Sequence, residues 1–163
     1  MFGSYSTVIV NGLEYVGGLV GFVESGDVSG SYSTGSVFGS SSSVGGLVGY
    51  QSLGTISDSY SIGNATGNSY VGGFVGYQYL GTISNSYSIG FASGSSSIGG
   101  LLGDIYEGSI SSSYWDMDNS ELSTSAGGVG KTTAQMKAQT TFTGWDFDTI
   151  WDIEEGVSYP TLK

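Results

Sequence analysis

An all-β solenoid closed by a C-terminal cap is the fold this sequence predicts, and three observations predict it. First, Gly17-Gly18-Leu19-Val20-Gly21 is followed by Ser31-Tyr32-Ser33, and the pair returns in three further copies. These begin at Gly45, Gly72 and Gly99, with Ser59-Tyr60, Ser86-Tyr87 and Ser113-Tyr114 behind them. Second, each Gly-Gly precedes its Ser-Tyr by 14 residues, and successive Ser-Tyr pairs from Ser4 onward are 27, 28, 27 and 27 apart. A fixed period within about 20–50 residues marks a stacked array. Third, the copies hold Gly, Ser, Tyr, Val and Ile, which suit strands and turns and not helices. A propeller blade needs about 40 residues. Three strands of five or six residues with tight corners fit one coil of 27. About four to five such coils are expected, with like residues stacked at about 4.8 Å.

The stacked columns can be written down. Val28, Ile56, Ile83 and Ile110 form one, and Tyr5, Tyr32, Tyr60, Tyr87 and Tyr114 another of the same parity. Both are expected inside. The serines between them, Ser29/Ser57/Ser84/Ser111, Ser31/Ser59/Ser86/Ser113 and Ser33/Ser61/Ser88, are then expected to face solvent. Around Gly-Gly the parity is broken. Either this strand is covered on both faces, or a glycine bulge turns Leu19, Leu47, Phe74 and Leu101 inward. Asp58 and Asn85, equivalent to Gly30 and Ser112, vary by copy and read as a turn.

The Gly-Gly-Leu-Val-Gly core and the Gly-x-Ile-x-x-Ser-Tyr-Ser-x-Gly tail resemble the GLUG-motif repeats of bacterial surface proteins. The resemblance covers residue 4 to about residue 116. Thr132-Thr133-Ala134-Gln135-Met136, Gly144-Trp145-Asp146-Phe147 and Ser158-Tyr159-Pro160 are similar to the tail that often closes such arrays. The resemblance implies a secreted or cell-surface adhesin-like protein with the repeats as its shaft, and no catalytic residues in them. Some secreted peptidases that resemble this family carry such repeats beside a catalytic domain, but nothing here matches a protease site.

Composition narrows the function. Charged residues make up 10% of the 163, against about 25% in ordinary domains, so Ser, Thr and Asn must supply solubility. A net charge of −11 leaves no basic footprint for nucleic acid or anionic lipid. With no Cys and no His, disulfides, thiolate or imidazole metal sites and His-based triads are excluded. No apolar run reaches the roughly 18 residues of a membrane helix. The chain enters its repeat at once, without a basic leader, as expected of a mature piece of something longer.

Residues 1–115 are expected to form the repeats and 116–163 the cap. All three lysines and most acids lie beyond Gly103. Within the cap, Thr132–Gln139 is the one expected helix, with capping-box spacing between Thr132 and Gln135. Trp145, Phe147 and Trp151 are expected to fold over the open end of the last coil, the usual device for keeping a stack soluble.

Candidate chemistry is sparse. Gly127–Thr133 superficially matches a phosphate loop but has Ser125 where the leading Gly belongs. Asp116, Asp118 and Ser120 offer oxygens at calcium-loop spacing, yet Glu121 and Gly127 stand where Gly and Glu are required. Asp146, Asp148, Asp152, Glu154 and Glu155 lie on a short cap without a groove for glycoside chemistry. No cofactor is expected, with calcium as the sole alternative.

The expected function is therefore a non-catalytic structural or adhesive segment, extracellular or on a cell surface. An alternative is a module binding glycan or a surface through Tyr50, Gln51, Tyr77, Gln78 and Tyr79. Another is a filament subunit that associates with its own kind through the open first coil, whose strand edge is unpaired.

Overall fold

A computed structural model describes all residues from Met1 to Lys163. It is a parallel β-solenoid of about four coils. Each coil uses five strands of two to four residues, not three longer ones. In the second coil they are Tyr32–Ser33, Val37–Gly39, Ser42–Gly45, Val48–Gln51 and Thr55–Ser57. Glycine, asparagine and serine corners interrupt the chain too often for longer runs. Every strand of the coils pairs in parallel with its equivalents one period away: Ile56 with Val28 and Ile83, Val71 with Val44 and Ile98, Tyr60 with Tyr32 and Tyr87. The stacking of like on like therefore holds in register.

The Gly-Gly stretch resolves as a bulge. The strand breaks between Gly45 and Val48, and the N–H groups of Leu47 and Val48 both donate to the Phe74 carbonyl, at 2.8 and 3.1 Å. Phe74 and Val75 repeat this on Leu101, and Leu19 and Val20 on Leu47. Two residues opposing one turn successive side chains to the same side. Leu47 and Val48 are consequently both buried, as are Phe74 and Val75, and Leu101 and Leu102. They join Ile56 and Ile83 in the larger interior column. Each fully buried Ile or Leu there contributes about 1.5–3 kcal/mol.

The serines correct the expected parity. Ser31, Ser33, Ser59, Ser61, Ser86, Ser88 and Ser113 are buried, and the tyrosines between them point outward from the coil. Only Ser29, Ser57, Ser84 and Ser111 keep partial or full exposure. The cause is the corner. Gly30, Asp58, Asn85 and Ser112 all have φ between 43° and 56°, and a left-handed residue resets which side the next residue faces. Beyond the corner each serine hydroxyl closes on the carbonyl two residues back, as Ser59 does on Ser57 at 2.6 Å. Each also accepts the N–H of the serine one coil earlier, as Ser59 does from Ser31 at 3.1 Å.

The next serine column explains a glycine column. Ser61 donates to the Gly73 carbonyl, and Ser88 to that of Gly100 at 2.6 Å. These contacts pinch the coil and separate the larger interior from a smaller one built on Val37, Val44, Ala65, Val71 and Ala92. A Cβ on Gly73 would run into the Gly100 carbonyl oxygen of the next coil.

The cap has two parts. Trp115 takes the inward place that Ser88 holds one coil below, and its ring lies over Gly100. Residues 122–131 cross the end of the stack behind it: Gly100 and Ala126 donate to the Thr124 and Leu102 carbonyls at 3.1 and 3.0 Å, and strand Val129–Lys131 pairs with Tyr114–Asp116. Lys131 thus belongs to a strand, not to a phosphate loop. The second part corrects the expected placement. Phe142, Trp145 and Trp151 cover the side of the solenoid, over Tyr60, Tyr87 and Tyr114, not its open end. The stacked tyrosines are an apolar outer wall, and the cap buries its Tyr60, Tyr87 and Tyr114. Two one-turn helices serve the cap: α1 (Met117–Ser120), capped by Asp116, and α2 (Thr133–Met136), with the expected capping box on Thr132 and Gln135. No helix is long and apolar enough to cross a membrane.

Candidate surface-binding site

Of the proposed surface residues, the structure leaves three outside and takes two in. Gln51 and Gln78 are fully buried, which corrects their assignment to a surface. They follow Val23 in the ladder and precede Ile105, both hydrophobic. Gln51 Nε2 donates to the Gly54 and Thr82 carbonyls at 3.1 and 3.3 Å, and Gln78 Nε2 to the Gly81 carbonyl at 3.1 Å. The amides thus satisfy turn carbonyls from inside.

Tyr50 and Tyr77 lie on the opposite side of that strand and stack, with centroids 5.3 Å apart. Phe22 extends the column, 5.2 Å from Tyr50. Tyr79 stacks on Tyr106 at 5.0 Å, and Tyr106 is 61% exposed. Partial burial, then the neighbouring Tyr15 and Tyr79 hydroxyls, raise the Tyr50 phenol above its ordinary range. Partial burial comes first for Tyr77 too, followed by Tyr50 and Asp104. Both stay neutral at physiological pH.

Two aromatics that the sequence reading passed over complete the face. Tyr15 packs edge-on against Tyr50 at 5.2 Å, and Tyr70 edge-on against Tyr77 at 5.1 Å. Ser43 occupies the rung between them. The result is a notch of about 260 Å³ lined by Glu14, Tyr15, Ser42, Ser43, Tyr50, Tyr70 and Tyr77. The signal was present in sequence: Tyr-Val-Gly-Gly in the first and third copies, Ser-Val-Gly-Gly in the second.

The calcium-spaced trio does a different job. Asp116 is fully buried, and its carboxylate accepts from five protein donors: the Asp118 and Asn119 N–H groups, the Asn119 amide, the Thr133 hydroxyl and, at 2.6 Å, the Tyr159 hydroxyl. Asp118 accepts the Thr133 N–H at 2.8 Å, and Ser120 the Leu122 N–H at 3.4 Å. No three acidic side chains converge there or elsewhere. Asp146 in the cap likewise closes a turn, accepting from Asp148 and Thr149.

The fold and this face define a parallel β-solenoid repeat protein with an aromatic outer surface. More narrowly, residues 12–37, 40–66 and 67–92 match the model of the GLUG motif, so the chain carries three GLUG repeats. No curated protein matches it. Among solved structures, a "putative immunoglobulin A1 protease" from Bacteroides ovatus has a similar fold, with a TM-score of 0.69 at 20% identity. That match covers 98% of this chain and 56% of the other, so the chain spans little more than half of that protein's length.

Proposed function

We propose that this chain is a non-catalytic solenoid segment of a secreted or cell-surface protein, and that it adheres through its aromatic face. The observation that carries the reading is the in-register placement of Phe22, Tyr50, Tyr77, Tyr79 and Tyr106 on one outer side, with Phe22, Tyr79 and Tyr106 exposed and Tyr50 and Tyr77 half-buried. The fold does not need them there. Asp104 follows Tyr77 in one column, and Glu24 and Ser52 precede Tyr79 in the other. Exposed aromatic patches of this kind mark interaction sites. Support for a non-catalytic role comes from Asp116, Asp118 and Asp146 and from the Ser59, Ser86 and Ser113 hydroxyls, which are engaged in caps, turns and ladders. Retention on intact cells or cell-wall preparations tests the reading. A variant with Phe22, Tyr50, Tyr77 and Tyr79 all changed to Ser should lose most of it. Undiminished retention would overturn the face, and turnover of immunoglobulin or polysaccharide by the purified chain would overturn the non-catalytic reading.

A second reading, self-association, has its own observation. Phe2, Tyr5, Val8, Ile9 and Leu13 of the first coil are all more than half exposed, next to a strand edge without a partner. Sedimentation across concentration tests it, and a monomer at every concentration would end it.

A further inference from the structure

The largest hollow of the surface, about 660 Å³, lies in the cap beside the strand Val129–Lys131. Its volume falls within the roughly 300–1,000 Å³ of small-molecule sites. Val129 and Lys131 stand in register with Tyr114 and Asp116 and form one side of it. On the other side α2 and the turn Gln139–Thr141 bring Ala134 and Ala138, whose methyl groups leave space that longer side chains would fill.

Charge sets this hollow apart. Each of the others holds an acid: Asp58 in one, Glu14 in the notch, Glu24 and Asp27 at the first coil. This one holds none, in a chain with 14 acids and 3 basic residues, and it holds Lys131. The Lys131 ammonium lies 5.9 Å from the centre of the Tyr114 ring, which gives its three N–H donors no acceptor. Asp116, its ladder partner, is fully buried and already takes five donors. Lys163 differs, because it donates to the Phe147 and Asp148 carbonyls. The net charge of −11 opposes an anion through a field that physiological salt screens over about 8 Å.

The remaining lining selects among anions. Thr141 gives its hydroxyl to the Gln135 carbonyl at 2.6 Å, and the Gln135 side-chain oxygen accepts the Thr132 N–H at 3.0 Å. The Thr140 and Thr143 hydroxyls and the Gln135 side-chain N–H groups are left for a guest, among the methyls of Val129, Ala134 and Ala138. A phosphate asks for converging backbone N–H groups. Here those of Val129, Thr132, Thr133 and Gln135 are taken by Ser113, Gln135, Asp118 and Thr132. A pyranose that carries a carboxylate matches the hollow better, with hydroxyls on its rim and C–H groups on its faces.

Apart from the aromatic face, we infer that this hollow binds a carboxylated sugar residue, its carboxylate on Lys131 and its hydroxyls on Thr140, Thr143 and Gln135. Methyl glucuronide is titrated into the intact chain by ligand-observed NMR, beside methyl glucoside, its neutral counterpart. A methyl sialoside, acetate and inorganic phosphate form parallel arms. The glucuronide or the sialoside should bind at least about 5-fold more tightly than the glucoside, and the tighter of the two identifies the sugar. Lys131→Met keeps the stem packed on Tyr114 and should remove that preference, whereas Lys131→Arg should keep it. Ala134→Leu, at an exposed helical position, should fill the hollow and abolish binding at an unchanged melting temperature. No binding of either acidic sugar would overturn the site, as would a preference that survives Lys131→Met. Acetate or phosphate binding as tightly as the sugars would overturn it too, leaving an adventitious ion only. The variant with Phe22, Tyr50, Tyr77 and Tyr79 changed to Ser should bind the acidic sugar as the parent does. Cell retention that ignores those four residues while the sugar still binds through Lys131 would remove the adhesive face and leave this site standing.

Discussion

The hydroxyl of Tyr87 donates to the carbonyl of Pro160 at 2.5 Å, inside the wall where the cap meets the solenoid. Tyr87 is the centre of that wall. It stacks on Tyr60 at 5.2 Å and touches Trp145, Trp151 and Tyr159. Tyr87→Phe keeps the ring and leaves the Pro160 carbonyl buried without its donor. A loss of about 1–3 kcal/mol is expected, read by urea unfolding. An unchanged midpoint would mean that water reaches the carbonyl.

The same wall sets an alkaline limit. Burial, and then Tyr32, push the Tyr60 phenol up to about 12. Burial and the hydrogen bond to Asp116 push Tyr159 up to about 12. Tyr87 goes well above its ordinary range for the same reasons of burial and neighbouring phenols. An unfolded tyrosine ionises near 10. The folded state therefore favours the protonated phenols, and their contribution is complete below pH 10. It is lost as pH rises through about 12. Melting temperature should be flat up to pH 10 with respect to these groups and fall beyond it, in step with phenolate absorbance.

Gly73 tests the pinch. A Cβ there meets the Gly100 carbonyl oxygen of the next coil, backbone that cannot swing aside. Gly73→Ala should cost more than about 3 kcal/mol, in the range reserved for named structural defects. Ser88→Ala, which removes only the hydroxyl donated to Gly100, should cost about 1–2 kcal/mol. Comparable losses for the two would show that the coil spreads to admit the methyl.

Asp116 ties α1, Thr133 and Tyr159 together. Asp116→Ala should destabilise the cap by about 2–4 kcal/mol, since five donors lose one charged acceptor. With those donors already on the carboxylate, calcium or a chelator is expected to leave the melting temperature unchanged. A calcium-dependent rise that Asp116→Ala abolishes would reverse the assignment.

The period, the parallel stacking, the interior Ile column and the Thr132 capping box were all legible, because each rests on spacing alone. What failed was parity. Alternation carried across Gly30, Asp58, Asn85 and Ser112 assigned Ser31 and Ser33 to solvent, but a left-handed corner resets the count. At Leu47 and Val48 the bulge resets it again. Gln51 and Gln78 misled for a chemical reason: inside the coil each amide N–H reaches a turn carbonyl, a partner that the sequence does not display. The notch was missed because Tyr15 and Tyr70 lie 55 residues apart in sequence, and only the stacking sets one two rungs above the other.

The sideways seat of the cap bears on mechanics. A clasp that grips Tyr60, Tyr87 and Tyr114 together holds three turns of the coil as one block. Under a stretching load along the axis, that block resists as a unit. Tyr5, 65% exposed, lies outside that clasp and shares none of its grip.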